Sequence, residues 1–99
     1  MMNVEVFYNA TDQPMTVKVL GPGCMNCKTL ERRTLEVLSE MNFKADVQKV
    51  EDLDSIVAYG IMRTPGLVID EKVVWQGGVP TRDKIKQLLE SALAGRVAS

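Results

Sequence analysis

Ninety-nine residues with 45% apolar and 25% charged side chains make one ordinary globular domain, large enough to form a core without covalent staples. Twelve basic against thirteen acidic residues leave a formal charge of −1, and no basic run exceeds Arg32-Arg33, which argues against nucleic acid or an anionic membrane as partner. Histidine is absent, which removes imidazole metal ligands and both Cys–His and Ser–His catalysis.

The opening stretch MMNVEVFYNATDQP has neither a positive leader nor a long apolar run, and no segment reaches bilayer length, so a cytoplasmic chain is expected. Thiols stay reduced there, and a close Cys pair is more often catalytic or metal-binding than structural. Val4, Val6 and Tyr8 alternate as in a strand, but too few residues separate Tyr8 from Met15 for a parallel crossover. Residues 1–14 are therefore set apart as an extension, either an antiparallel edge strand or a mobile tail, ahead of a domain over 15–99.

Met15 to Leu20 alternates, with Val17 and Val19 on one face, and reads as a strand. GPG breaks it. From Cys24 to about Met41, Leu30, Val37, Leu38 and Met41 form an apolar stripe opposite Lys28, Glu31, Arg32, Arg33, Glu36 and Glu40, which predicts an amphipathic helix. Lys44 to Val50 is a second strand. Asp52 is placed to cap a short helix with Leu53, Ile56 and Val57 buried and Gly60 as terminator. Gly66–Asp70 and Lys72–Gln76 are β-rich runs joined at a hairpin turn through Glu71. Thr81 then caps a helix carrying Ile85, Leu88, Leu89, Ala92 and Leu93, with Gly95 as its expected end. The order β-α-β-α-β-β-α predicts an α/β domain: a parallel βαβ unit, a hairpin added to its sheet, and helices on both faces.

The two cysteines of the chain, Cys24 and Cys27, occupy the first strand-to-helix turn, at the sheet edge where open α/β folds place their sites. Residues i and i+3 of a helix lie roughly 5–6 Å apart, within disulfide reach. Cys24 falls at or beside the N-cap, where unsatisfied N–H groups favour an anion, so its pKa is expected below the free value of about 8.5. Cys27, one turn inside, loses most of that help. This asymmetry makes Cys24 the attacking thiol and Cys27 the resolving thiol, with Gly23 before the pair and Lys28 as added positive charge. The bland alternative is two small buried hydrophobes.

A second signal is MRTPGLVID. Proline cannot donate to a ladder, so Pro65 belongs at the start of the strand. A cis Thr64–Pro65 bond would present the Thr64 backbone to an extended substrate segment, whereas a trans proline would simply open the strand, and spacing does not choose between them. Met62 and Arg63 precede this step as candidate substrate contacts, Arg63 steering acidic partners or merely solvated.

With CMNC at a helix start, TP ahead of a hairpin and a closing amphipathic helix, the chain resembles the thioredoxin superfamily, over about Met15 to Leu93. It is closest in pattern to the small, glutaredoxin-sized members called redox-active disulfide protein 2, through VKVLGPGC, YGIMRTPGLVID and the VP before the last helix. The resemblance implies a mixed four-stranded sheet in the order 2-1-3-4. It also implies Cys24 and Cys27 as the exchanging pair, Pro65 as a cis-proline, and Thr64 on the substrate backbone. The implied activity is exchange with protein or small-molecule disulfides, with no bound cofactor, and electrons from a reductase; a monomer is expected. Two departures stand out. Gly23 replaces the Trp usual before the first Cys, and Lys18 falls where a buried acid usually serves the second.

GPGCMNC also resembles the loop of heavy-metal-associated domains, which would make the pair a Cu(I) carrier, or half of a zinc site shared between two chains. Those domains run βαββαβ and have no place for Thr64-Pro65 or for a closing helix. A third reading is a non-catalytic interaction module built on Trp75, Tyr59 and Met62, although a Trp on a hairpin under a helix is more often core.

Overall fold

In the computed structural model, which describes residues 15–98, β1 (Met15–Leu20) leads through Cys24 into α1 (Met25–Glu40), and β2 (Ala45–Val50) and α2 (Leu53–Ala58) follow. Then come β3 (Gly66–Ile69), β4 (Lys72–Gln76) and α3 (Arg82–Ala98). The readings of residues 1–14 lie outside the described residues. β1 pairs with β2 in parallel and with β3 antiparallel, and β3 pairs antiparallel with β4, so the order is 2-1-3-4 as expected. A heavy-metal-associated arrangement does not end this way.

Two clusters hold the layers together. Val17 and Val19 of β1 meet Leu30, Val37 and Leu38 of α1 and Ile85 and Leu89 of α3 on one face. Leu20 and Val68 meet Ile56 and Ile61 on the other. Helices therefore cover both faces. The buried Thr34 satisfies its hydroxyl locally, donating to the Leu30 carbonyl at 2.8 Å.

The turns follow their residues. Asp70 and Glu71 adopt φ of 50° and 68°, which makes the tight two-residue turn whose twist suits a hairpin. Asp52 caps α2, accepting from Ser55 N–H at 3.0 Å, and Gly60 ends that helix at φ 82°. Thr81 caps α3, its hydroxyl accepting from Lys84 N–H at 3.1 Å.

Two expectations are corrected. Of the stripe assigned to α2 only Ile56 is buried; Leu53 is 70% and Val57 61% exposed, because a helix of six residues turns one narrow side to the sheet. Gly95 does not end α3, which runs on to Ala98 with no left-handed turn at that glycine. The rival patch of Trp75, Tyr59 and Met62 does not form, in keeping with Trp75 being read as core. Trp75 packs against the larger cluster and donates its indole N–H to Gly78 at 3.2 Å, and only Met62 stays fully outside.

Lys18 lies on the α2 side of the sheet. Its ammonium donates to the Tyr59 hydroxyl at 2.8 Å and to Glu71 at 2.7 Å, and Tyr59 donates to the other Glu71 oxygen at 2.9 Å. This triangle joins β1, the end of α2 and the hairpin turn. Hydrogen bonds first from Lys18 and then from Tyr59 hold the Glu71 carboxyl below its ordinary range. A depressed carboxyl adds stability above its unfolded pKa and loses it as pH falls through the folded one. Native protein should therefore lose stability on acidification below the usual carboxylate range more steeply than Glu71→Gln, and urea unfolding at pH 3 and pH 7 measures the difference. Identical acid slopes would mean the triangle contributes nothing.

Candidate functional site

The site is built where β1 ends. The Gly21 N–H donates to the Val50 carbonyl at 2.9 Å, which keeps the ends of β1 and β2 together up to the turn. Gly23 then takes φ 94°, a conformation that suits glycine and turns the chain into α1. Cys24 is the N-cap, extended at φ −72° and ψ 171°, and its carbonyl accepts the first helical bond from Lys28 N–H at 3.0 Å. Both cysteines are free thiols, Cys24 exposed and Cys27 buried with 5% of its surface accessible. Their sulfurs are 2.7 Å apart, beyond a covalent bond of about 2.05 Å and within one side-chain rotation of forming one.

The two thiols are driven in opposite directions. Cys24 is lowered from the ordinary thiol range, first by the hydrogen bond from the Cys27 thiol and then by the helix-opening N–H of Cys27. Burial comes next and opposes the shift; the N–H of Asn26 follows, helping Cys24 again. The direction is the expected one. The largest single cause, the hydrogen bond from the partner sulfur, was not among those expected. Cys27 is raised, first by burial and then by its hydrogen bond to Cys24. Lys28, expected to add charge, is exposed and is not among the groups that shift either thiol.

Gly21 is the residue that sequence reasoning missed. A Cβ built there would fall on the Cys27 sulfur, with the Pro65 Cα 3.9 Å away on the other side. The buried thiol thus lies against bare backbone at the end of β1, and the Thr64–Pro65 step closes on the same point. The available signal was Gly21 itself, the first glycine of GPGC, placed at the strand end ahead of the glycine that makes the turn.

The Thr64–Pro65 bond is cis. Pro65 is buried at the start of β3 and its carbonyl accepts from Gly77 N–H at 2.8 Å; Thr64 is exposed, and among the described residues neither its N–H nor its carbonyl has a backbone partner. Met62 is 91% exposed, its backbone N–H bonded to the Gln76 side chain at 3.0 Å. Arg63 lies over Gly77, with side-chain atoms 3.3–3.5 Å from where a Cβ would stand, so it packs on the hairpin rather than against the sulfurs. Gly23, Cys24, Cys27, Thr64 and Pro65 are therefore gathered around the end of β1, while Arg63 and Met62 border them. Among the described residues no cluster of three or more His, Cys, Asp or Glu could hold a metal ion, and no helix is long and apolar enough to cross a membrane.

The comparisons with known proteins agree with this geometry. A family model described as a thioredoxin domain matches residues 15–90. A protein named thioredoxin from Methanothermobacter thermautotrophicus is 32% identical over 75 residues, which is 76% of this chain and 97% of that one. Another of the same name, from Methanocaldococcus jannaschii, is 28% identical over 82 residues, covering 83% and 94%. The chain belongs to the thioredoxin family.

Two outcomes test the site. Gly21→Ala should push the Cys27 sulfur away from Cys24, costing about 1–3 kcal/mol as an overpacked core does and slowing closure of the intramolecular disulfide; unfolding curves and a thiol-blocking time course read both, and an unperturbed variant would mean the contact is slack. In a thiolate absorbance titration, Cys24 should ionise below the ordinary thiol range, and Cys27→Ala should move it upward by removing the leading donor. An unmoved Cys24 would show that the partner sulfur is not the cause.

Proposed function

We propose that the chain is a thiol–disulfide oxidoreductase in which Cys24 attacks the disulfide of a protein or small-molecule substrate and Cys27 resolves the product. The carrying observation is the pair itself: an exposed, acidified sulfur at a helix N-cap with a buried, proton-holding sulfur 2.7 Å behind it. Attack by the Cys24 thiolate forms a Cys24–substrate bond and releases one substrate thiolate. Cys27 then attacks Cys24, forming the intramolecular disulfide and expelling the second. The substrate gains two electrons and the Cys24–Cys27 pair loses two, so a reductase must return them, and the protein itself needs no bound cofactor.

The acidity difference makes this order the favourable one. A thiolate attacks, and Cys24 is the thiol that ionises more readily than an ordinary one, while burial and the bond to Cys24 hold the proton on Cys27. Thr64, its backbone polar groups unengaged beside the pair, receives an extended substrate segment in β fashion, with Pro65 shaping that edge and Met62 and Arg63 as its border. Gly23 and Lys28 support the turn that carries Cys24. The working unit is 15–99, acting as a cytoplasmic monomer on protein disulfides, with 1–14 as an extension to it. The relatives bear the name thioredoxin, and the family match over residues 15–90 spans the residues that build the site.

In an insulin reduction assay with dithiothreitol as electron source, Cys24→Ser should lose all stimulation, while Cys27→Ser should accumulate a mixed disulfide detectable by intact mass. The rate of the first step should rise with pH and level off below the ordinary thiol range, because the depressed Cys24 is already fully ionised there. Tight Cu(I) or zinc binding by the reduced monomer with no disulfide turnover would replace this reading with a metal carrier.

A further inference from the structure

Resolution requires Cys27 to give up a proton, and its surroundings oppose that. Burial raises it, and the neighbouring strand supplies Lys18, a cation already engaged by Tyr59 and Glu71 on the opposite side of the sheet. A different group lines the same crevice as Cys27. The parallel register sets Leu20 against Val50, so the residue after β2, Glu51, comes level with Gly21, on whose backbone the Cys27 sulfur rests. A Cβ built on Gly23 would lie 3.5 Å from the Glu51 carboxylate, placing that carboxylate directly beside the turn that precedes the cysteines.

Between them is a crevice of about 20 Å³, lined by Cys27, Glu51, Lys28, Glu31 and Lys49 with Gly21 and Gly23 as its backbone wall. That space suits one water, which needs roughly 10–15 Å³ and two or more polar partners. Of the two carboxylates there, Glu31 is paired with Lys49 at 3.9 Å, whereas among the described residues no ion pair engages Glu51. The charged and titratable groups facing Cys27 are thus Cys24, Lys28, Glu31, Lys49 and Glu51, and Glu51 is the unpaired base among them.

Resting on the oxidoreductase reading, we propose that Glu51, acting through one water in this crevice, accepts the proton of Cys27 as Cys27 attacks the mixed disulfide. The Cys27 S–H proton passes to the water while a water proton passes to the carboxylate. The Cys27–Cys24 bond forms, the Cys24–substrate bond breaks, and the substrate sulfur leaves as a thiolate; Glu51 later returns its proton to solvent. The carboxylate that serves the second cysteine is in this way delivered from the end of β2.

The test is the two-phase reaction of reduced protein with 5,5′-dithiobis(2-nitrobenzoate), followed by stopped flow from pH 5 to 9. The first release of coloured thiolate, second order in reagent, reports Cys24; the second, first order, reports resolution by Cys27. Glu51→Gln, at an exposed position, should leave the first phase unchanged, slow the second about tenfold near pH 7, and shift its pH midpoint upward, a modest effect for general-base assistance. Glu51→Asp should recover part of the rate. A second phase that is unchanged in Glu51→Gln overturns the proposal. So does a faster one, because a carboxylate that only adds negative charge would hinder the Cys27 thiolate and its loss would help. Native protein showing no first-order phase would instead remove the oxidoreductase reading, and this proposal with it.

Discussion

The contact between the Cys27 sulfur and the bare backbone of Gly21 is the constraint around which the site is arranged. It sets the depth of α1 against the sheet and so the place of its first turn. From it follow the burial that keeps Cys27 protonated and the outward position of Cys24 at the N-cap. Pro65 closes on the same glycine from the other side, which brings the substrate-facing edge of β3 to the reactive sulfur. One absent methyl group thus lets the end of β1, the first turn of α1 and the start of β3 meet.

The division of labour between the cysteines is then electrostatic and local. Each sulfur acts on the other through one hydrogen bond, which acidifies the exposed thiol and holds the proton on the buried one. Backbone N–H groups of the helix opening reinforce the first effect. The helix end alone was expected to do this work. The bond from the partner sulfur adds to it, and the N–H groups of Cys27, Asn26 and Cys24 still act in the expected direction.

The architecture was legible in the sequence because periodicity and punctuation agreed. Alternation marked β1 and β2, the stripe of Leu30, Val37 and Leu38 marked α1, and Asp52, Gly60 and Thr81 marked helix ends at their observed places. The cysteine pair and Thr64-Pro65 were legible as motifs. What escaped depends on the third dimension. Gly21 looks like part of a turn until the sulfur beside it is seen, and Glu51 looks like a solvated strand end until the β1–β2 register brings it level with that glycine. Lys18 read as a missing acid, whereas in the fold it is the centre of a hydrogen-bonded triangle whose other members are 41 and 53 positions away. The stripe assigned to α2 failed for a related reason: six residues are too few for periodicity to say how much of a helix touches the sheet.

The segment before β3 is fastened to the hairpin at two points, Met62 N–H to the Gln76 side chain and Gly77 N–H to the Pro65 carbonyl. The chain's single tryptophan, Trp75, stands directly beside those anchors with its indole bonded to Gly78. A displacement of the segment before β3 must pull on the same strand end that holds the indole. The protein consequently carries its one indole fluorophore next to its candidate docking edge.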